Sequence, residues 1–349
     1  MKELVHKNET AWHALNTLIQ DMKPSKIFVL MDENTYKHCF PLFTKKIKNP
    51  LPLIPLIFPS GEEHKNIASC LQLWHQLSRE GADRNSLLIN LGGGVVTDLG
   101  GFVAATFKRG IAFVNIPTSL LAMVDAALGG KNGVDLGTLK NQIGTITDPE
   151  MVAVDTTFLD TLPHEHLISG FAEMLKHGLV YSRAYWDRLK TINFQDKSGF
   201  ENLIWESIEI KNNIVVSDPF ETGRRKILNF GHTLGHAMES YFLKDKEITL
   251  LHGEAIAIGL VLESFISNHI FGFSHANLKE VSTVVKKIFP KISFNEADIK
   301  AVIDLLIFDK KNRNGKVLFV LLEDFGKAHT DCVVGNELII NAFNYYEKL

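Results

Sequence analysis

Between residues 26 and 116 the chain alternates short apolar, β-branched runs with helical patterns, and this alternation constrains the fold more than any other feature. Lys26-Ile-Phe-Val-Leu-Met31 reads as a strand ending at Asp32-Glu-Asn34, and Leu53-Ile-Pro-Leu-Ile-Phe58 as a second, with prolines that suit a sheet edge. Residues 66–81 have the periodicity of an amphipathic helix. Ser86-Leu-Leu-Ile-Asn-Leu91 is a third strand running straight into Gly92-Gly-Gly94, and Ala112-Phe-Val-Asn-Ile116 a fourth, closed by Pro117. Strands separated by helices imply parallel βαβ units. Ligands on such sheets bind outside the carboxyl ends of the strands, where the glycine and polar clusters of this sequence fall.

After about Pro163 helical periodicity takes over, at 166–180, 198–216, 233–243 and 253–270, with one β-like run at 316–322. The expected fold is an α/β, Rossmann-like N-terminal domain with a mostly parallel sheet over residues 1–160, then a mainly α-helical domain over 161–349. A chain of 349 residues is long enough for two cores. A net charge of -3 leaves no basic footprint for nucleic acid. The start lacks the apolar core of a signal peptide, and no uninterrupted apolar stretch reaches membrane-spanning length. Cys39, Cys70 and Cys332 are too scattered for a zinc knuckle or disulfide set, which suits a reducing compartment. The expectation is a cytoplasmic enzyme with neither nucleic-acid nor membrane partners.

The chemistry concentrates in two places. Leu228-Asn-Phe-Gly-His232-Thr-Leu-Gly-His236-Ala-Met-Glu239, followed by His252-Gly-Glu254, sets two imidazoles one helical turn apart and a third further on. Neutral imidazole is a common ligand of divalent metals, and His232 and His236 share a helix face, so the spacing suggests that this pair chelates one ion. Most histidine pairs at this spacing are ordinary helix residues. The helix-weakening glycines Gly231 and Gly235, and the second apolar helix opened by His252, favour the metal reading. Glu173, three residues before Lys176, reads either as half of an exposed intrahelical ion pair or as a carboxylate completing a shell of one Glu and two His.

The other place is the string of strand ends. Gly92-Gly-Gly94-Val-Val-Thr97-Asp98 leads from a buried strand into a helix, where backbone amides and the helix dipole favour a pyrophosphate. It lacks the G-x-G-x-x-G spacing, so a plain tight turn is nearly as good a reading of that loop alone. Thr118, Ser119 and Asp125 follow the next strand. Lys131 and Lys140 sit in glycine-rich turns and, with Arg109, supply cations for a phosphate.

Taken together, these motifs resemble the 3-dehydroquinate synthase family of the sugar-phosphate cyclase superfamily. The shared text includes Ser60-Gly-Glu62-Glu-His-Lys65, Gly92-Gly-Gly-Val-Val-Thr-Asp98, Phe107-Lys-Arg109-Gly, Pro117-Thr-Ser-Leu-Leu-Ala-Met-Val-Asp125 and Gly129-Gly-Lys131. It continues through Lys140-Asn141, Gly170-Phe-Ala-Glu173-Met-Leu-Lys176, Asn229-Phe-Gly-His232-Thr-Leu-Gly-His236, His252-Gly-Glu254 and Asp309-Lys310-Lys311, in order across roughly residues 25–330. The resemblance implies NAD, one divalent metal (zinc or cobalt), a sugar-phosphate substrate and a homodimer. Glu173, His232 and His252 match metal ligands. Asp32, Asn34, Glu62, Lys65, Gly94, Val95, Val96, Thr97, Asp98, Thr118, Ser119, Lys131, Lys140, Phe158, Leu159, Asp160 and Thr161 match positions around NAD. Arg109, Asp125, Lys131, Asn141, Lys176, Lys211, Arg225, Asn229, His236 and Lys310 match positions that hold or process substrate, so His236 moves from ligand to substrate-side helper. Thr97, Ser119, Asp135 and Leu139 depart from the commonest family residues without removing a ligand or a charged catalytic group.

The activity so implied is conversion of 3-deoxy-D-arabino-heptulosonate 7-phosphate to 3-dehydroquinate and phosphate, the second step of the shikimate route to aromatic amino acids. It proceeds by transient oxidation by NAD, phosphate elimination, re-reduction, ring opening and intramolecular aldol closure. The rival readings are another cyclase of the superfamily and a simple metal- and NAD-dependent polyol or alcohol dehydrogenase. A non-enzymatic binding module would leave the convergent polar groups unexplained.

Overall fold

The computed structural model describes residues 4–48, 51–137, 139–243, 250–306 and 316–349. Lys310 and Lys311 lie outside the described residues. The chain forms two compact units, Met1–Leu167 and Ile168–Leu349. The division falls just inside a helix that starts at His164, a few residues beyond the 160/161 boundary expected from composition.

The first unit runs β1 (Val5–Lys7), α1 (Asn8–Met22), β2 (Ile27–Asp32), α2 (Glu33–His38), α3 (Phe40–Lys46), β3 (Leu53–Phe58), α4 (Ile67–Arg79), β4 (Leu87–Gly92), α5 (Gly94–Thr106), β5 (Ala112–Pro117), β6 (Lys131–Leu136), β7 (Leu139–Ile146) and β8 (Met151–Val154). Six strands form one sheet in the order β1-β8-β5-β4-β2-β3, and every pairing in it is parallel. All six residues of β4 and all four of β8 are buried, as a sheet covered on both faces requires. β3 lies at the sheet's edge, where Pro55 opposite Val29 removes no essential donor. Phe28, Leu30, Leu73, Leu77, Leu88, Leu99 and Phe102 pack one face of the sheet against α4 and α5.

Strand order decides where this sheet binds. From β2 the chain first moves outward to β3, then returns across β2 to β4 and proceeds to β5 and β8. The direction therefore reverses between β2 and β4, the place where sheets of this class bind ligands outside the carboxyl ends of their strands. Asp32 ends β2 and Gly92 ends β4. β6 and β7, read from sequence only as glycine-rich turns, instead form a separate antiparallel hairpin.

The second unit contains most of α6 (His164–Tyr181), then α7 (Arg183–Leu189), α8 (Lys197–Ser217), α9 (His232–Phe242), α10 (His252–Phe271), α11 (His275–Ile288), α12 (Glu296–Leu305), β9 (Leu318–Asp324), β10 (Lys327–Val333) and α13 (Asn336–Glu347). The single β-like run of the sequence is thus half of an antiparallel pair. α10 is long and apolar enough to cross a membrane, but it is mostly buried and carries Glu263 at its centre, as a core helix does.

Candidate active site

In the second unit, α6, α9 and α10 approach at backbone distance. A Cβ on Gly253 would stand 1.9 Å from the Ser169 carbonyl oxygen, and one on Gly259 would stand 2.0 Å from that of Gly231. Gly231 adopts φ 80°, a left-handed conformation that glycine enters at no steric cost, and turns the chain into α9. The Glu263 carboxylate, fully buried on α10, accepts from the amides of Gly231 (2.6 Å), Thr233 (3.2 Å) and Leu234 (3.3 Å). It satisfies donors that the start of α9 would otherwise leave open, at the end of the helix where negative charge is favoured.

This packing brings one carboxylate and two imidazoles together. Glu173 Oε1 lies 3.1 Å from His252 Nε2 and 3.4 Å from His232 Nε2. Donor atoms of these three residues all fall within 4.8 Å of one another. The opposite ring nitrogens are also engaged: His232 Nδ1 lies 3.1 Å from the Phe230 carbonyl oxygen, and His252 Nδ1 lies 3.0 Å from Glu239 Oε2. Both rings therefore turn Nε2 toward Glu173, as two ligands of one ion must. Burial alone would raise Glu173, but Lys176 and the two histidines outweigh it and hold the carboxyl well below its ordinary range. Burial lowers His232 and so favours neutral imidazole. Burial also lowers His252, but Glu239 and Glu173 outweigh it and raise it to about 10. The donor set of one carboxylate and two imidazoles suits zinc or cobalt.

Lys176 is ion-paired with Glu173, and both side chains are buried, so the pair is not the exposed intrahelical one that spacing alone would suggest. The His236 ring stands 5.2 Å from that of His232 and 6.2 Å from that of His252, centroid to centroid. It is beside the triad without belonging to its donor cluster. Lys211 on α8, Arg225 and Asn229 are all buried. Asp218 orders the loop that presents the last two, accepting from the amides of Thr222, Gly223 and Arg225. Arg225 Nη1 donates to the Pro219 carbonyl, and the Asn229 amide donates to Glu221 Oε1 at 2.5 Å.

In the first unit the candidate nucleotide positions gather at the carboxyl ends of the strands. Asp32 caps α2 by accepting from Thr35 N at 2.7 Å, and Asn34 is exposed in that helix's first turn. Gly94, Val95, Val96, Thr97 and Asp98 form the first turn of α5. Gly93, its N-cap, makes no side-chain cap, and the helix start follows directly on the carboxyl end of β4. Thr97 is buried with its hydroxyl on the Gly94 carbonyl, so its added methyl packs inward. Thr118 donates its amide to Gly92 O, and Ser119 Oγ accepts from Ala122 N. Phe158, Leu159, Asp160 and Thr161 lie in a 3-10 turn after β8, capped by Asp155, whose other carboxylate oxygen holds the Trp12 indole at 2.6 Å. Asp125 lies in the π-turn Ala122–Ala126, while Arg109 is exposed in a separate turn at φ 70°.

The hairpin contributes a charged network. Buried Lys65 donates to Asp98 Oδ2 and Asn141 Oδ1, each at 2.6 Å, and Lys140 is ion-paired with Glu62. Burial lowers the Lys65 pKa, but Asp98, Glu62 and Asp135 outweigh it, so the ammonium stays charged well above its ordinary range. Asp135 accepts from the amide of Asn141, whose φ of 51° is left-handed. Lys131 opens the same hairpin. Sequence reasoning gave no role to Glu239, Glu263 or Asp135. For Glu239 and Glu263 the signal was an acid on a largely apolar helix, which helical periodicity alone reads as a solvated position; Asp135 sits in a glycine-rich strand that gave none.

The chain is similar to known proteins along nearly its whole length. The family model described as 3-dehydroquinate synthase N-terminal matches residues 55–169, and the C-terminal model of the same family matches 170–312. A 3-dehydroquinate synthase of Parabacteroides distasonis is 42% identical over 340 residues, 96% of this chain and 95% of that protein. The structure of ValA, a 2-epi-5-epi-valiolone synthase from Streptomyces hygroscopicus with NAD+ and Zn2+ bound, superposes with a TM-score of 0.87 at 23% identity, over 100% of this chain and 98% of that one. A 2-deoxy-scyllo-inosose synthase complexed with carbaglucose-6-phosphate, NAD+ and Co2+ gives 0.83 at 24% identity, over 98% and 96%. Those two likenesses show the fold, and the two family models with the 42% relative show more: the chain belongs to the 3-dehydroquinate synthase family.

Proposed function

We propose that this chain converts 3-deoxy-D-arabino-heptulosonate 7-phosphate to 3-dehydroquinate and inorganic phosphate, as a phosphate-eliminating lyase that uses NAD without consuming it and holds one divalent metal on Glu173, His232 and His252. The observation that carries this reading is the convergence of both Nε2 atoms on Glu173 Oε1, with both Nδ1 atoms engaged elsewhere. When bound, the metal would supply Lewis acidity to substrate hydroxyls, and NAD a hydride acceptor regenerated in each turnover.

The chain's own residues do the rest. Glu173, held ionised, and His232, held neutral, are in the protonation states that ligation requires. The open amides at the start of α5 receive the nucleotide's pyrophosphate, with Asp32, Asn34, Glu62, Lys65, Thr118, Ser119, Lys140 and the 158–161 turn around it. Lys131 and Arg109 steady the phosphate of the substrate, and Asn141 and Asp125 hold its polar groups. Buried Lys176, Lys211, Arg225 and Asn229 bind its carboxylate and hydroxyls, whose polar atoms replace the water these groups have lost. His236, next to the ligands but outside their cluster, carries a proton to or from a substrate hydroxyl at its imidazole nitrogen.

Phosphate release from the heptulosonate phosphate, with and without NAD and a chelator, tests the reading. Release that needs both NAD and metal, without net accumulation of NADH, supports it. Accumulating NADH without phosphate would point to a dehydrogenase instead. No turnover with both supplied would overturn it.

A further inference from the structure

We propose that Glu239 is a positioning residue for metal binding, fixing the ring of His252 with Nδ1–H bonded to its carboxylate and the Nε2 lone pair directed at the ion. The inference rests on the metal reading of Glu173, His232 and His252. It adds a residue outside that set, on which a ligand's orientation depends.

Three observations converge on Glu239. The first is contact: its Oε2 lies 3.0 Å from His252 Nδ1, while Nε2 of the same ring lies 3.1 Å from Glu173, so the imidazole is held between two carboxylates on opposite edges. The second is need. Side-chain exposure is 0% for Glu173 and 9% for His232 but 24% for His252, so packing confines this ligand least. An imidazole free to turn about its Cβ–Cγ bond would offer a carbon where the metal requires a lone pair. The third is asymmetry. His232 satisfies Nδ1 on the carbonyl of Phe230, two residues away, so its own turn orients it. His252 is the first residue of α10, and its ring reaches a charged group on a different helix.

The placement follows from α9. Glu239 comes seven residues after His232, two turns along the same face, so one helix supplies a ligand at its start and the group that orients another ligand further on. Glu239 is 5% exposed, which strengthens a charge-assisted bond to Nδ1–H and raises the electron density at Nε2. Groups that orient a metal-bound imidazole in this way are worth 10- to 100-fold in metal affinity.

Zinc affinity, measured on the full chain by competition with a chromophoric chelator, tests the proposal. Glu239→Ala should weaken binding about 10- to 100-fold. Glu239→Gln, whose amide oxygen still accepts from Nδ1–H, should lose less. In a His252→Ala background Glu239→Ala should change affinity less than twofold, because the ring it serves is gone. Thermal unfolding of the metal-free variants confirms folding, and Glu239→Gln keeps the test alive should the alanine variant fold poorly. Glu239→Ala within twofold of the parent, or a tenfold loss persisting without His252, would overturn the positioning role while leaving the metal site intact. A parent chain whose zinc affinity is indifferent to His232→Ala and His252→Ala would overturn the metal reading and this one with it.

Discussion

Replacing Glu263 by glutamine removes one charge at constant shape and should be among the most damaging conservative changes in the second unit. The carboxylate accepts from three amides at the start of α9, two on Oε1 and one on Oε2. Glutamine presents one oxygen and one NH2 group. Whichever way the amide turns, the NH2 faces at least one backbone N–H, and that donor loses its acceptor. An unsatisfied buried donor costs about 1–3 kcal/mol, and reducing charge-assisted bonds to neutral ones costs roughly a further 1 kcal/mol each. A loss of about 3 kcal/mol is a moderate sum of these. For a unit of this size it corresponds to a fall in Tm of about 6–12 °C. Glu254→Gln is the matched control, since Glu254 is less buried and accepts a single amide bond, from Leu251 at 2.8 Å; it should cost about 1 kcal/mol or less. Both can be followed by circular dichroism at 222 nm during heating and by urea titration. A Glu263→Gln shift below about 2 °C with an unchanged urea slope would show that the α9 amides find other partners, and the account of how His232 is seated would fall with it.

Other expectations are simpler to state. His236→Ala should keep its full complement of metal, measured by elemental analysis, while turnover falls about 10²- to 10⁴-fold, the range of a lost proton-transfer group; lost metal would make His236 a ligand after all. Burial raises Cys39 to about 11 and Cys70 to about 12, so at pH 8 about one molecule in a thousand and one in ten thousand carries the respective thiolate. A thiol reagent should therefore label half-buried Cys332 first in the native protein and all three cysteines in denaturant; rapid native labelling of Cys70 would refute its burial. Because both folded values lie above the ordinary 9.0, the stability these neutral thiols contribute is complete below that pH and is lost as pH climbs through about 11 and about 12, which alkaline unfolding curves of Cys70→Ala against the parent would reveal.

Legibility in the sequence tracked burial. The central strands announced themselves because both faces of a parallel sheet are mostly apolar, so 86–91 and 112–116 form hydrophobic runs, interrupted by Ser86, Asn90 and Asn115, within a residue of the observed β4 and β5. The β6–β7 hairpin gave no such signal. Its Gly133 and Gly144, Lys131, Lys140 and Asn141 look like turn chemistry, and only pairing with each other makes them strands. The histidine segment was legible as a concentration of donors, but its spacing did not say which of them cluster. Positions four apart share a helix face, yet which donors cluster is decided by which helices meet, and in the cluster seen here the second imidazole comes from α10 and the carboxylate from α6. Glu239 and Glu263 stayed invisible for a related reason: nothing in a linear pattern separates an acid pointing at solvent from one pointing at a buried imidazole or a helix start.

Lys65 has a consequence of its own. Its ammonium bonds at once to Asp98, in the first turn of α5, and to Asn141, on the hairpin. Neither element can shift away without giving up a charge-assisted bond of about 1.5–3 kcal/mol. On the proposed reading, a nucleotide that settled the start of α5 would also narrow the positions open to Asn141. Thermodynamic reciprocity requires the effect to run both ways: by whatever factor an occupied α5 tightens a ligand at Asn141, that ligand tightens the nucleotide by the same factor. On the proposed reading of the site, a single buried cation would make two binding events share one free energy.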